Sequence, residues 1–264
     1  MLPIYQAQSF VRILKGGSTK PWAVIVKDGK KLIPYAVKLY KTKDIEKSFS
    51  VAKDVYCSVL AQEFDLDTPA PALIEFSDDF IDSLSQAQKN ELGKADNRIK
   101  FGCKLIDGAF QYSETLHRNS LEKYQIEAIY AFDNLIKNGD RRRDGKPNIL
   151  MKGIKAYLID HELTLEGLEQ AIKDFSDSQW GYWKERHIFY PYLYSSNKSK
   201  KIAYFENFKD SLMEIDFNIL DSYYYQLIDY KHYTEYDFVI LKEYLCLIQK
   251  NPDKFVNLLR TQFQ

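Results

Sequence analysis

The sequence predicts an α+β fold of two lobes, β-rich over residues 1–105 and mainly helical over residues 106–264. Three observations predict it. Short β-rich runs with glycine turns fill the chain up to Tyr40, helical spacing fills it after Phe205, and acidic and amide side chains gather around two short apolar strands at the junction. In order, Phe10–Leu14 and Trp22–Val26 are rich in aromatic and β-branched residues and are separated by the polar stretch Lys15–Pro21. Asp28-Gly29 supplies a turn into the strand Ile33–Tyr40. Val51, Val55, Val59 and Leu60 share one side of a helix over 46–65, which Asp65–Pro71 breaks. Ala72–Phe76 is another strand, and the Gln- and Lys-rich stretch 82–98 is a surface helix or an insertion. After Phe101–Leu105 the chain turns helical, with an amphipathic run Leu121–Ile136 that ends at Asn138-Gly139. Two apolar strands, 148–152 and 156–160, surround a Lys152-Gly153 turn. A polar loop, Ser195–Lys201, leads into the helical stretch 205–264.

Composition excludes several classes of function. Lys and Arg number 37 against 37 Asp and Glu, so no net field draws the chain to nucleic acid or to an anionic membrane. Aromatic residues at 15% argue against extensive disorder. Cys57, Cys103 and Cys246 lie far apart with no paired spacing, which suits buried thiols in a reducing compartment rather than a disulfide frame or a zinc site. The N-terminus lacks the basic and apolar regions of a signal peptide, and no apolar run reaches the ~20 residues of a membrane helix. A soluble, cytoplasmic protein is expected.

The junction carries the chemistry. Asp140 opens a charged loop, Asn148 stands before the apolar Ile149-Leu150, and Asp160 closes the strand Ala156–Ile159. An acid, an amide and an acid in that order supply oxygen ligands for a hard cation and a carboxylate beside an attacking hydroxyl, which is what phosphoryl transfer from ATP requires. Arg141 is placed to neutralise phosphate or to orient the acid, whereas Arg142 and Arg143 read as surface charges. Asp133, inside an apolar helix stretch, is expected to hydrogen-bond the catalytic loop. Upstream, Gly16, Gly17 and Ser18 form a turn whose backbone can approach phosphates. Lys38 ends a strand and is expected to hold the α- and β-phosphates, fixed by a carboxylate of the next helix, with Asp54 preferred over Glu63. His117, His187 and His232 have no partner spacing and read as structural, and Trp180 and Trp183 as packing anchors.

With these residues in view, the chain resembles the short HipA-family kinases. The likeness runs through Lys15-Gly16-Gly17-Ser18, Lys27-Asp28-Gly29, Tyr35-Ala36-Val37-Lys38, Asp65-Leu66-Asp67-Thr68-Pro69 and Phe101-Gly102-Cys103-Lys104-Leu105. It continues through Phe132-Asp133, Asn138-Gly139-Asp140-Arg141, Pro147-Asn148-Ile149-Leu150 and Leu158-Ile159-Asp160-His161. The resemblance implies a protein-kinase-like fold with ATP and Mg2+ between the lobes. By position, Gly16, Gly17 and Ser18 form the phosphate loop, Lys38 contacts phosphate, Asp140 orients or deprotonates the hydroxyl, and Asn148 and Asp160 hold metal. It also implies phosphorylation of Ser or Thr in a protein, a toxin–antitoxin-like setting with an antitoxin-like partner, and autophosphorylation at Ser18 or Thr19. The chain departs from the family pattern in a longer loop from Asp140 to Asn148, in Asp54 where relatives generally carry Glu, and in Glu162 where Gly often follows. A lipid or small-molecule kinase and a nucleotide-binding pseudokinase are the other readings.

Overall fold

Five strands of the N-terminal region form one closed sheet in the order β1-β2-β3-β5-β4, from β1 (Ile4–Ile13), β2 (Trp22–Asp28), β3 (Lys31–Val37), β4 (Pro71–Glu75) and β5 (Lys100–Lys104). The computed structural model describes all residues except 16–19, 114–115, 117–120, 122, 182–183 and 233, together with the side chain of residue 184. β1, β2 and β3 form an antiparallel meander, and β1 closes the sheet by pairing in parallel with β4 at Ile4↔Leu73 to Gln6↔Glu75. The first strand is therefore longer than its apolar run predicts. Its first residues are held by a partner strand distant in sequence, which local pattern cannot reveal.

Alternation builds the core of this sheet. Trp22, Val24 and Val26 of β2 face inward with Tyr35 and Val37 of β3 and with Ala72 and Ile74 of β4, all buried. The Trp22 ring is fully buried and meets Phe10 edge-on at 5.0 Å and Phe76 at 6.2 Å. Burying a side chain of the Val or Phe class contributes about 1.5–3 kcal/mol, so these positions dominate the stability of the sheet. Gly102 of β5 has no room for a side chain, because a Cβ there would stand 2.8 Å from Ile74 Cγ1 and 3.3 Å from the Ala36 carbonyl. The polar stretch after β4 forms the helices Asp78–Asp82 and Gln86–Leu92, capped by Ser77 and Ser85, and the second buries no residue. Within the stretch 82–98, Gln86–Leu92 is thus a surface helix, one of the two readings given for it.

The chain divides into two compact units, residues 1–58, 69–107 and 220–234 in one and residues 59–68, 108–219 and 235–264 in the other. The division falls within helix Ser50–Glu63. In the first unit, the chain returns late to cover its own beginning. Gln226 of helix Ile219–Asp229 grips the Leu2 backbone, accepting from its N–H at 2.8 Å and donating to its carbonyl at 2.9 Å. His232 Nε2 lies 2.9 Å from the Ile99 carbonyl.

The second unit is mainly helical around a three-stranded sheet of β6 (Phe110–Gln111), β7 (Ile149–Lys152) and β8 (Lys155–Leu158). Its longer helices are Ile126–Leu135, Leu168–Ser176, Glu206–Glu214, Glu235–Gln249 and Pro252–Thr261. Aromatic rings fill its interior. Phe64 stacks on Phe208 at 4.4 Å, and Trp180 packs among Phe175, Tyr244 and Phe255, the anchoring expected of it. Trp183 lies outside the described residues. Within the expected helix 121–136, residues 123–125 form a turn and the helix runs Ile126–Leu135, while the strands expected to include Asn148 and Asp160 begin one residue after the former and end two before the latter. Both residues have positive φ, 51° for Asn148 and 62° for Asp160, which ends a ladder. No helix among the described residues is long and apolar enough to cross a membrane.

Candidate catalytic site

Helix Ile126–Leu135 sets out the loop that follows it by burying one carboxylate, Asp133, which is 2% exposed. Three donors converge on it. Asn138 Nδ2 reaches Oδ1 at 2.8 Å, Arg141 Nε reaches Oδ2 at 2.6 Å, and His187 Nε2 lies 2.9 Å from Oδ2. His187 Nδ1 accepts the Phe189 N–H at 3.1 Å, so the proton is on Nε2 and His187 donates to Asp133. Burial alone would raise the Asp133 pKa. The Arg141 charge, together with the bonds from His187 and Arg141, outweighs it and holds the carboxyl below its ordinary value. Burial lowers the pKa of His187, which is neutral at ordinary pH.

This anchor shapes the loop beyond it. Asn138 Oδ1 accepts the Asp140 N–H at 3.0 Å, while Arg141 Nη1 donates to the carbonyls of Asn148 at 2.5 Å and Pro147 at 3.2 Å. Arg141 therefore joins the two ends of the loop to the helix. Its side chain is completely buried, a placement that suits orienting the loop. The segment 186–188 lies alongside as a short antiparallel partner, with Arg143 N–H on the Arg186 carbonyl at 2.9 Å and Ile188 N–H on the Arg141 carbonyl at 3.2 Å. Arg143 is exposed, whereas Arg142 is half-buried, with its Nε 3.7 Å from Asp140 Oδ1.

Asp140 and Asn148, eight residues apart, meet at the head of the loop, where Asn148 Nδ2 donates to Asp140 Oδ2 at 2.8 Å. The longer loop thus does not separate the two. Asn148 is buried, and its carbonyl also accepts the Ile159 N–H at 3.1 Å, which ties it to the strand that leads to Asp160. The Asp140 carboxyl is raised above its ordinary value, first by burial and then by the charge of Asp160, against the Asn148 hydrogen bond and the charges of Arg142 and Arg141. Asp160 is thus near enough for its charge to be felt at Asp140. With Nδ2 committed to Asp140, the Asn148 amide leaves Oδ1 as its oxygen ligand. Two or three hard oxygen donors suit Mg2+, which is held by one or two carboxylates and keeps waters and phosphate oxygens for its other positions. Among the described residues there is no group of three or more His, Cys, Asp or Glu side chains placed to hold a metal ion.

In the first unit, Lys38 follows β3 and is hydrogen-bonded through its backbone N–H to the Phe101 carbonyl at 3.0 Å. Its Nζ lies 2.8 Å from Asp54 Oδ2 and 3.0 Å from Oδ1, and 2.9 Å from the Tyr40 hydroxyl. Tyr40 in turn donates to Asp54 Oδ2 at 2.6 Å. Of the two carboxylates weighed, Asp54 meets Lys38, and Glu63 is exposed. Gly16, Gly17, Ser18 and Thr19 lie outside the described residues, as does His117. Two residues of these networks were not among the expected ones. Tyr40 had a usable signal, because it stands two residues from Lys38 in an extended chain and so shares its side. Asn138 was read as the end of a helix and as part of the pattern Asn138-Gly139-Asp140-Arg141, with no bond of its own expected.

The model of the HipA-like kinase family matches residues 8–244. No curated protein matches the sequence. Among solved structures, the chain is similar to the crystal structure of a Helicobacter pylori proinflammatory kinase, CtkA, at 12% identity and a TM-score of 0.49, over 97% of this chain and 95% of that one.

Proposed function

The chain belongs to the HipA-like kinase family, and from that premise we propose that it transfers the terminal phosphoryl group of ATP, with Mg2+, to a serine or threonine hydroxyl of a protein. The observation that carries this reading is the Asp140–Asn148 hydrogen bond of 2.8 Å, with the charge of Asp160 acting on the same carboxylate. In this reading Asp140 orients the acceptor hydroxyl and takes its proton. Its raised pKa makes it a better base than an ordinary surface carboxylate. Asn148 and Asp160 would hold Mg2+, which neutralises charge on the phosphates when bound. Lys38, fixed by Asp54, takes the α- and β-phosphates, and the backbone of Gly16, Gly17 and Ser18 approaches them. Arg141 positions the loop and touches no substrate. A two-lobed kinase-like arrangement belongs to the same proposal. So do autophosphorylation at Ser18 or Thr19 and an antitoxin-like protein partner, which rest on the resemblance alone.

The test is label transfer from radiolabelled ATP with Mg2+, comparing the wild-type protein with Asp140→Ala and Asp160→Ala. Label on the protein or an added protein acceptor that disappears in both variants supports the proposal. Equal labelling of all three proteins would overturn the assignment of the site. Thermal stabilisation by ATP without label or hydrolysis would make the protein a nucleotide-binding pseudokinase, and label on a lipid or small molecule alone would move the acceptor class.

A further inference from the structure

Resting on the reading of Lys38 as the phosphate-directed lysine, we infer that Tyr40 is its positioning residue. Lys38, Tyr40 and Asp54 close a triangle of hydrogen bonds, with Nζ 2.9 Å from the Tyr40 hydroxyl and 2.8 Å from Asp54 Oδ2, and the hydroxyl 2.6 Å from that same oxygen. The triangle is buried, with Tyr40 2% exposed and the side chains of Lys38 and Asp54 10% and 1% exposed. Inside a protein an ammonium group without fixed oxygen partners is strongly disfavoured, so the geometry of these partners decides where it points. An aspartate is one methylene shorter than a glutamate and holds the lysine from closer to its own helix backbone. A carboxylate alone still lets Nζ swing about it. The phenol removes that freedom, because it accepts from Nζ while donating to the carboxylate, and its ring is rigid to the hydroxyl. Tyr40 also comes from the lysine's own segment, two residues along, so it references the ammonium to β3 as well as to the helix. In this way the hydroxyl fixes the direction of Nζ, which the carboxylate at 2.8 Å alone leaves free to swing.

The test uses the full chain as wild type, Tyr40→Phe, and Tyr40→Phe combined with Asp54→Glu. Two readouts are taken. One is KM for ATP and kcat, and the other is the acylation rate of Lys38 by acetic anhydride in the nucleotide-free protein, read by peptide mass spectrometry. Loss of one hydrogen bond to a charged group is expected to raise KM for ATP about tenfold and to speed acylation of Lys38. In the double variant the longer acid reaches into the space of the lost hydroxyl, and both readouts return toward wild type. Unchanged KM and unchanged acylation in Tyr40→Phe overturn the inference. Changes that Asp54→Glu fails to reverse also overturn it, since they would make Tyr40 a packing residue. If acylation responds while KM does not, Tyr40 positions Lys38 and the phosphate role of Lys38 is wrong. If the wild-type protein neither binds nor turns over ATP, the kinase reading fails, and the acylation series alone decides on Tyr40.

Discussion

Asp133 ionises in a place where burial opposes it, and Arg141 is the main reason that it does. Removing one member of a buried ion pair leaves the other charge uncompensated, at a cost of about 3–5 kcal/mol. Arg141→Ala is therefore expected to lower the unfolding free energy by roughly that amount in urea titration, and to abolish phosphoryl transfer by releasing the Pro147 and Asn148 carbonyls. The pH dependence follows the sign of the shift. A carboxyl held below its ordinary value of 3.8 contributes stability that is full above that pH and is lost as pH falls toward the folded pKa. In Arg141→Ala the Asp133 pKa moves up, so acid unfolding begins at higher pH than in wild type. Asp140 is shifted the other way. The rising limb of kcat/KM against pH should lie above the ordinary carboxylate range. Arg142→Ala should raise it further, since Arg142 Nε, 3.7 Å from Oδ1, favours the ionised form. A limb that stays in place or moves down in that variant would remove Asp140 from the role of base.

The hairpin of β7 and β8 is bounded by two residues in left-handed backbone, Asn148 at φ 51° and Asp160 at φ 62°. Asn and Asp tolerate this region better than other residues with a Cβ, and glycine tolerates it freely. Two substitutions separate the backbone role of Asn148 from its chemistry. Asn148→Gly and Asn148→Ala both remove the amide that grips Asp140, so both should lose activity. In chemical denaturation, however, the Gly variant should be the more stable by about 1 kcal/mol. Equal stability would mean that the strained backbone relaxes and does not hold the site. The same features explain what was legible in the sequence. Asp140, Asn148 and Asp160 stood out because polar residues at the ends of apolar strands break a simple pattern, and β2, β4 and the hairpin followed from short apolar runs bounded by turn residues. Local pattern was silent on the start of β1, because Ile4–Gln6 is defined by pairing with Leu73–Glu75. Nor does periodicity tell which of three consecutive arginines turns inward, since the choice of Arg141 depends on a carboxylate one helical turn before the loop and on His187, far along the chain. Tyr40 is one of 20 tyrosines, and only its place two residues from Lys38 sets it apart from the others.

At the scale of the molecule, equal numbers of acidic and basic residues leave no large net charge near neutrality, so moderate acid acts on stability mainly through particular buried groups. His232 is the clearest of them. It lies in residues 220–234, the late segment that joins the first unit, and its Nε2 donates to the Ile99 carbonyl at 2.9 Å. Burial pushes its pKa down to about 4 from 6.5, assisted by the charges of Arg98 and Lys100 and opposed by the Ile99 bond and by Asp96. A histidine with a depressed folded pKa takes up its proton more readily when unfolded. Its neutral form therefore supports the fold fully above pH 6.5, and that support is lost as pH falls from 6.5 toward 4. One proton over this window corresponds to a loss on the order of 3 kcal/mol. His187 in the second unit acts in the same direction, since burial lowers its pKa too. His232→Gln retains an amide N–H for the Ile99 carbonyl and cannot titrate. Urea unfolding at pH 7 and pH 5 should show a marked loss for the wild-type protein and a smaller one for His232→Gln, with the remainder due to His187. Tryptophan fluorescence is a suitable probe, because Trp22 and Trp180 are buried in the first and second units respectively. The change produced by His232→Gln should be larger in the transition that exposes Trp22. An equal loss at pH 5 in both proteins would show that the late segment is not held to the first unit through a neutral His232.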